Sequence, residues 1–314
     1  MQSRKGCVFM CLDSFYRSPP TFDSLSSRLE KIAGESELFQ LPSAGESVLG
    51  RPLWLLSAGE ASAPPVLLVG CTHGSEWITA LLLTLFAESL ACAAGEGGEI
   101  AGIRVERGTL FRGRSLLILP CLNPDGMEIA ISGPQSAGEY AGQTAQMMGR
   151  CPEQVWQANA RGVDLNHNFP AGWDILRQLE IQDGITGPGP TKYGGPCPFS
   201  EPETQAVQRL CARFPVRQLL SFHAQGEEIY WRYGDRTPGR GLTAARLFSA
   251  SSGYKVCDPV GTASHGGLKD WFIQETGRPG FTLEVGKGKN PLPIEQLPEI
   301  WRKLRETLML SILV

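Results

Sequence analysis

Histidine is scarce in this sequence, because only His73, His167, His223 and His265 occur among 314 residues. Imidazole is the commonest metal-binding side chain, so a metal site that uses it must draw on these four. Cysteine is more frequent, with nine residues, but no two stand in a Cys-x-x-Cys spacing. The sequence therefore indicates neither a zinc–cysteine site nor a disulfide framework, and we expect most cysteines to be reduced.

The chain also lacks a strong charge of either sign and a clear export signal. Its 29 basic and 32 acidic side chains give a formal net charge of −3, which offers no reason to expect nucleic acid or an anionic membrane as partner. The apolar stretch 6–12 is too short for a signal peptide, and we expect no apolar run of the roughly 20 residues that span a bilayer. We therefore expect a cytoplasmic protein.

Strand-like and helix-like segments alternate along the chain, which predicts an α/β fold: a mixed, mostly parallel twisted sheet with helices on both faces. Residues 1–20 are interpreted as a loosely attached leader, and 21–314 as a single domain. The predicted strands are 39–41, 53–56, 65–70, 116–119, 219–223 and 280–285. The predicted helices are 21–33, 77–91, 201–214, 242–252 and 294–312. We expect loops at 94–102, 133–149 and 177–200, and a turn at 123–126.

Side chains with ligand chemistry follow two of the predicted strands. The motif His73-x-x-Glu76 comes directly after the apolar residues 66–69, and His223 ends a second apolar segment. The carboxyl ends of strands in an α/β sheet meet at one edge, so these side chains can converge on one site. Two imidazoles and a carboxylate form a ligand set for catalytic zinc that leaves one position open for water. Glu284 ends a third predicted strand and is expected at the same edge.

Four segments together resemble the carboxypeptidase A-like zinc metallopeptidases. In chain order they are His73–Glu76, Asn159–Phe169, Ser221–His223 and Phe281–Glu284. The resemblance extends from about Leu53 to Gly288, and four ordered motifs at strand ends make it specific. Within that family, the stretches 158–173, 221–231 and 266–293 look most like the bacterial γ-D-glutamyl-L-diamino-acid endopeptidases, which cut peptides derived from the cell wall.

The resemblance implies a catalytic apparatus built around one Zn²⁺ ion. It implies that His73, Glu76 and His223 hold this ion, which polarises the scissile carbonyl and activates a water molecule. It also implies that Glu284 is the general base toward that water and later protonates the leaving amine. Arg161 looks like the family arginine that stabilises the oxyanion of the tetrahedral intermediate.

The resemblance further implies which residues bind the substrate. Asn166 matches the family asparagine that hydrogen-bonds the substrate carboxylate. His167 stands where carboxypeptidases place an arginine that clamps a free C-terminal carboxylate with two hydrogen bonds. Imidazole cannot make that bidentate contact, which argues against strict removal of C-terminal residues. Lys269 stands before the Asp-Trp pair of the specificity segment and suggests an anionic group on the substrate, such as the distal carboxylate of diaminopimelate. No role is assigned to His265.

The expected function is therefore zinc-dependent hydrolysis of the γ-D-glutamyl–diaminopimelate bond in small muropeptides. Two other enzymatic functions remain open: a zinc carboxypeptidase of broader specificity, and an aspartoacylase- or desuccinylase-like zinc amidohydrolase, which uses the same ligand pattern. A catalytically silent binding protein with the same fold is a third alternative, and the intact ligands and Glu284 argue against it. A serine hydrolase of the α/β type is disfavoured because the sequence has no Gly-x-Ser-x-Gly motif.

Overall fold

A single mixed sheet organises the chain. The computed structural model describes residues 13–150, 155–258 and 265–314. Its strands are β1 (Ser43–Glu46), β2 (Pro52–Trp54), β3 (Leu56–Gly59), β4 (Pro65–Val69), β5 (Glu99–Ile100), β6 (Ile103–Arg104), β7 (Ser115–Leu119), β8 (Gln218–His223), β9 (Glu228–Tyr230), β10 (Lys255–Cys257) and β11 (Gly280–Glu284). Seven of them form one sheet in the order β10-β9-β11-β8-β4-β7-β3, and β1-β2 and β5-β6 form separate pairs.

The middle of this sheet is parallel. β4 pairs in parallel with both β7 and β8, and β8 pairs in parallel with β11. β3 and β9 run antiparallel to their neighbours β7 and β11. All five residues of β4 are buried, which is typical of a strand covered on both faces. The predicted mixed, mostly parallel sheet is confirmed.

Helices cover both faces of the sheet. They are α1 (Phe22–Glu35), α2 (Ile78–Glu96), α3 (Arg107–Leu110), α4 (Pro124–Ser132), α5 (Ala141–Met148), α6 (Trp173–Gln182), α7 (Pro202–Arg213), α8 (Gly239–Ser252), α9 (Leu268–Thr276) and α10 (Leu297–Leu313). Val66 and Leu68 belong to a core shared with α1, α2, α8 and α10. Leu67 and Val69 belong to a second core, shared with α7 and α9. Alternate residues of β4 thus point to opposite layers, as the two-residue period of a strand requires.

Helix α2 lies within the larger core. With the preceding turn it spans 23 residues, Gly74–Glu96, and its most apolar window has a mean hydropathy of 1.8. The expectation that no apolar run reaches membrane-spanning length is therefore wrong. Length and composition alone would let this helix cross a membrane, but 67% of that window is buried inside the fold. A helix that is apolar all round is also the form that a buried core helix takes.

Four segments predicted as a turn or loops contain regular structure. The predicted turn 123–126 begins α4, because the side chain of Asn123 accepts a hydrogen bond from the backbone N–H of Gly126 and Pro124 suits the first helical position. The predicted loop 133–149 contains α5, and the predicted loop 94–102 contains β5. The predicted loop 177–200 begins inside α6, and residues 183–200 are irregular as expected.

The predicted leader, 1–20, lies partly outside the described residues. Within 13–20, the buried Tyr16 donates a 2.6 Å hydrogen bond to Glu88 of α2, and Asp13 forms an ion pair with Arg28 of α1. This part of the chain is therefore fixed on the two helices, and the expectation of loose attachment is wrong for it. The division into a leader and a single domain, 21–314, stays a prediction.

The cysteines follow the sequence expectation only in part. Cys71 and Cys121 are buried free thiols, as expected. Cys92 is disulfide-bonded and is an exception to the expectation that most cysteines are reduced. Spacing alone could not reveal this bond, because residues that pair in space need not be close in sequence.

Candidate metal centre

The three predicted metal ligands lie beyond the carboxyl ends of two neighbouring strands. β4 ends at Val69 and leads to His73, while His223 is the last residue of β8. Because β4 and β8 pair in parallel, both ends reach the same edge of the sheet. The side chain of Asn123 fixes the extension of β4 by donating a 3.1 Å hydrogen bond to the carbonyl oxygen of Thr72.

A tight turn brings Glu76 back beside His73. Residues 74–76 form one short 3-10 turn. A Cβ atom at Gly74 would stand only 2.1 Å from the carbonyl oxygen of Gly126, so no larger residue fits there. The backbone N–H of Gly74 also donates a 3.0 Å hydrogen bond to the carbonyl of Gln157. On this turn, just before α2, the His-x-x-Glu spacing therefore brings the side chains of His73 and Glu76 together.

The ligand atoms of His73, Glu76 and His223 all lie within 4.8 Å of one another. Nδ1 of His73 is 2.9 Å from Oε1 of Glu76, and Nδ1 of His223 is 3.1 Å from Oε2. The two Nδ1 atoms are 3.3 Å apart. Two imidazoles and one carboxylate, directed at a common point, match the donor set of a catalytic zinc site. The geometry brings the three residues together as the sequence predicted, and their role as metal ligands stays a prediction.

The surroundings of the ligands favour positive charge. Burial alone would raise the pKa of Glu76, but His73 and His223 lower it to about 2. Burial alone would lower the pKa of His73, but Glu76 and Asp164 raise it well above its usual value. Two buried carboxylates thus hold a proton on His73, and a divalent cation would take the place of that proton.

Contacts behind the ligands fix the orientation of both imidazoles. Nε2 of His73 is 3.2 Å from Oδ1 of Asp164, and Nε2 of His223 is 3.1 Å from Oγ of Ser221. Asp164 is held in turn by the backbone N–H groups of Asn166 and Lys192, each at 3.0 Å. Outer contacts of this kind set the tautomer and orientation of metal-binding histidines. Sequence reasoning did not single out Asp164, although it lies inside the Asn159–Phe169 motif.

Glu284 lies next to the ligand group. It is the last residue of β11 and the register partner of His223 on β8, so both side chains leave the sheet at the same edge. Burial and the nearby Glu76 raise the pKa of Glu284 well above its usual value, while His73 acts in the opposite direction and Glu228 adds to the rise. A carboxyl group with a raised pKa beside a ligand set suits proton transfer near neutral pH.

Asn166 is held so that one end of its amide stays available. Its Oδ1 accepts a 3.1 Å hydrogen bond from the backbone N–H of Leu268, at the start of α9. That contact fixes the amide orientation, and within the described part of the chain Nδ2 has no hydrogen-bond partner. The available donor is compatible with the predicted role of Asn166 in substrate binding, which stays a prediction.

His167 is buried and held from one side. Its Nδ1 lies 2.9 Å from Oε1 of Glu180 and 2.8 Å from the carbonyl oxygen of Lys192. Both neighbours accept hydrogen bonds, so Nδ1 carries the proton and Nε2 is the remaining polar atom. Burial would lower the pKa of His167, but Asp164 and Glu180 raise it. Its role toward substrate stays a prediction.

Arg161 does not join the metal group. Its side chain is 44% exposed, and its Nη1 lies 3.6 Å from Glu201. Glu201 belongs to a buried polar cluster, where Asn159 donates hydrogen bonds to Glu201 at 2.8 Å and to Glu203 at 3.3 Å. The side-chain contacts of Arg161 are thus with Tyr140 and Glu201, and they give no support to its predicted oxyanion role. The sequence motif identified Arg161 as a candidate, but a motif cannot show where its side chain points in the fold.

Lys269 is satisfied inside the fold. Its side chain is only 4% exposed, forms an ion pair with Asp270, and donates a 2.9 Å hydrogen bond to the carbonyl of Arg232. These contacts give no support to the predicted role of Lys269 in recognising an anionic substrate group, which stays a prediction, because its ammonium group faces Asp270 inside the fold. Nδ1 of His265 lies 3.4 Å from the hydroxyl of Tyr233, and this contact assigns no catalytic role to it.

Comparisons with known proteins agree with this geometry. Residues 25–307 match the sequence model of the zinc carboxypeptidase family. The chain is 32% identical over 284 residues to the protein named gamma-D-glutamyl-L-diamino acid endopeptidase 1 of Lysinibacillus sphaericus. The alignment covers 90% of this chain and 69% of that protein.

Solved structures share the fold. Bovine thrombin-activatable fibrinolysis inhibitor, in complex with tick carboxypeptidase inhibitor, superposes with a TM-score of 0.71 at 19% identity, over 95% of this chain and 98% of that one. Murein-tripeptide amidase MpaA from Escherichia coli O157 superposes with a TM-score of 0.55 at 20% identity, over 88% and 94% of the two chains. The site geometry, the family match and the shared fold lead to one conclusion: this chain belongs to the zinc carboxypeptidase family of metallopeptidases.

Proposed function

We propose that this chain hydrolyses the bond between γ-D-glutamate and diaminopimelate in small peptides derived from the bacterial cell wall. One observation carries the proposal: the His73–Glu76–His223 group, with Glu284 beside it, occurs on a chain 32% identical over most of its length to a protein named as an endopeptidase for that bond. The cytoplasmic location expected from the sequence stays part of the proposal.

The chain supplies three ligands and a proton-transfer group. His73, Glu76 and His223 would hold one zinc ion, which when bound polarises a carbonyl oxygen and makes water more acidic. Glu284 takes a proton from the attacking water and returns it to the leaving amine, and its raised pKa suits both steps. Asp164 and Ser221 hold the two imidazoles so that each Nδ1 faces the Glu76 carboxylate, where the ion would bind.

The environment of His167 supports cleavage inside a peptide. Where a carboxypeptidase needs a bidentate cation for a free C-terminal carboxylate, this chain has an imidazole whose Nδ1 is occupied by Glu180 and the carbonyl of Lys192. A single Nε2 atom remains for substrate. A site with a single imidazole nitrogen does not require a free α-carboxylate next to the scissile bond. The substrate residue after that bond can therefore be followed by a further residue.

The products of one tetrapeptide would test the proposal. The peptide L-Ala-γ-D-Glu-diaminopimelate-D-Ala should be incubated with zinc-loaded protein and analysed by mass spectrometry. We expect L-Ala-γ-D-Glu and diaminopimelate-D-Ala, because the bond before diaminopimelate is internal in this substrate. Release of D-Ala alone would overturn the proposal in favour of a zinc carboxypeptidase of broader specificity.

Two controls separate the remaining functions. N-Acetylaspartate and N-succinyl amino acids, offered in parallel, would be cleaved by an aspartoacylase- or desuccinylase-like amidohydrolase and left intact by the proposed enzyme. The Glu284→Gln variant, loaded with zinc, should leave the tetrapeptide intact and so exclude a contaminating peptidase. If the zinc-loaded wild-type protein cleaves none of these compounds, a catalytically silent binding protein replaces the proposal.

A further inference from the structure

Asn290 links both metal-binding segments. Its Nδ2 lies 3.3 Å from Oε1 of Glu76 and donates a 2.6 Å hydrogen bond to the carbonyl oxygen of Ala224. Ala224 directly follows the ligand His223 in the chain. One amide group therefore contacts a ligand on the turn after β4 and the backbone beyond the ligand at the end of β8.

The orientation of this amide is determined by its neighbours. The carbonyl of Ala224 and the ionised carboxylate of Glu76 both accept hydrogen bonds, so the nitrogen of Asn290 must be the atom that faces them. Oδ1 of Asn290 is buried and has no hydrogen-bond partner among the described residues. A buried polar atom without a partner has a cost, so packing alone does not explain an asparagine at this position.

The segment that carries Asn290 is anchored at both ends. On one side, the side chain of Gln296 accepts a 3.0 Å hydrogen bond from the backbone N–H of Lys287 and donates a 2.7 Å bond to its carbonyl. On the other side, Leu292 is buried in the larger core. The segment 287–292 therefore has a fixed place relative to β11, and these contacts hold the backbone of Asn290 in position.

A bound metal makes this contact more important. In the described geometry both imidazole Nδ1 atoms approach Glu76, but histidines that coordinate an ion through Nδ1 cannot also donate hydrogen bonds from it. Among residues 13–150, 155–258 and 265–314, Asn290 is then the side chain left to donate to the Glu76 carboxylate. The terminal torsion of a glutamate is broad, so such a donor restricts how the carboxylate faces the ion.

We infer that Asn290 is a positioning residue that orients Glu76 for metal binding and holds it against the backbone beyond His223. The inference concerns the metal centre and does not rest on the proposed muropeptide substrate. Substitution of outer contacts to metal ligands typically weakens metal affinity by about 10- to 100-fold. The loss should appear in metal binding itself, before any substrate is added.

Two variants test the inference by metal binding. Asn290→Leu keeps the branched shape and removes the donor, and Asn290→Ala removes both the donor and most of the side chain. The zinc dissociation constant, measured by competition with a chromophoric chelator, should rise about 10- to 100-fold in both. At saturating Co²⁺, the visible absorption spectrum should differ from that of the wild type, because the carboxylate of Glu76 is no longer held in one orientation. The second readout distinguishes positioning from a loss of folded protein.

The control is Lys289→Ala, an exposed neighbour on the same segment. It should leave the zinc dissociation constant within twofold of the wild type and the Co²⁺ spectrum unchanged. Wild-type zinc affinity and an unchanged spectrum in a folded Asn290 variant would overturn the inference. If one variant does not fold, the other decides. If neither folds while Lys289→Ala does, Asn290 is needed for stability and the positioning role is rejected.

Discussion

Oδ1 of Asp164 lies 3.2 Å from Nε2 of His73, on the ring nitrogen opposite the one that faces Glu76. Burial would raise the pKa of Asp164, but His73 and His167 hold it well below its usual range. The ionised carboxylate accepts a hydrogen bond from Nε2–H, which leaves the lone pair of Nδ1 for a metal ion. The tautomer of the ligand is thus set by a residue that does not itself join the ligand group.

The Asp164→Asn variant tests this relationship. The amide keeps the shape of the side chain but loses the charge that favours Nε2–H, so zinc affinity should fall about 10- to 100-fold. Chelator competition measures the dissociation constant, with Asp174→Asn, at an exposed position on α6, as the matched control. An unchanged dissociation constant in Asp164→Asn would show that the tautomer of His73 is set by other means.

Glu284→Gln separates catalysis from metal binding. The amide retains the size of the side chain but cannot accept a proton, so turnover should fall about 100- to 10,000-fold. Zinc content should remain at the wild-type level, because Glu284 is adjacent to the ligand group without belonging to it. Metal analysis and steady-state kinetics on the same preparation check both statements. Activity within tenfold of the wild type would remove Glu284 from its proposed role.

Arg161→Ala should have a small effect. The side chain is 44% exposed, and its ion pair is with Glu201 rather than with a member of the metal group. We expect kcat/KM for the tetrapeptide within about threefold of the wild-type value. A loss near 100-fold, the size typical of a missing oxyanion donor, would restore the role predicted from the sequence.

Glu203 should make stability depend on pH. This carboxyl group is fully buried, and burial, with Asp125 and Glu201 nearby, raises its pKa from 4.5 to about 8. Between these pH values the folded state binds more protons than the unfolded state, so the free energy of unfolding falls as pH rises. The fall from this group is complete above pH 8 and absent below pH 4.5.

The Glu203→Gln variant should flatten this part of the stability profile, because its amide resembles the protonated acid. The difference should reach a few kcal/mol, at about 1.4 kcal/mol for each unit of pKa. Urea unfolding at a series of pH values from 5 to 8 measures it. Glu306→Gln, at an exposed position on α10, should keep the wild-type profile. A wild-type slope in Glu203→Gln would assign the pH dependence to other groups.

Local patterns were sufficient to find the ligands and most of the sheet. His73, Glu76 and His223 follow apolar runs that form buried parallel strands, and parallel strands bring their carboxyl ends together by topology. The same reasoning placed Glu284 beside His223. Periodicity and chain order were enough to place these residues at one edge, and the resemblance to zinc metallopeptidases supplied their expected roles.

Side-chain direction and partner choice could not be found in this way. Lys269 stands in the expected segment, but that segment is α9, and its ammonium group is turned inward to Asp270. The role of Asp164 exists only once the loop 159–168 meets the turn after β4. The sequence at 123–126 has the composition of a turn, yet the same asparagine and proline serve equally well as a helix start. In each case a tertiary contact selects between two locally acceptable structures.

Zinc K-edge X-ray absorption of the purified, zinc-loaded protein tests the central claim most directly. If His73, Glu76 and His223 hold the ion, the spectrum will show two imidazole nitrogen ligands and oxygen ligands at about 2.0–2.2 Å, with no sulfur shell near 2.3 Å. In His223→Ala, one imidazole contribution should disappear and zinc affinity should fall sharply. A sulfur shell, or a wild-type imidazole contribution in His223→Ala, would contradict the account.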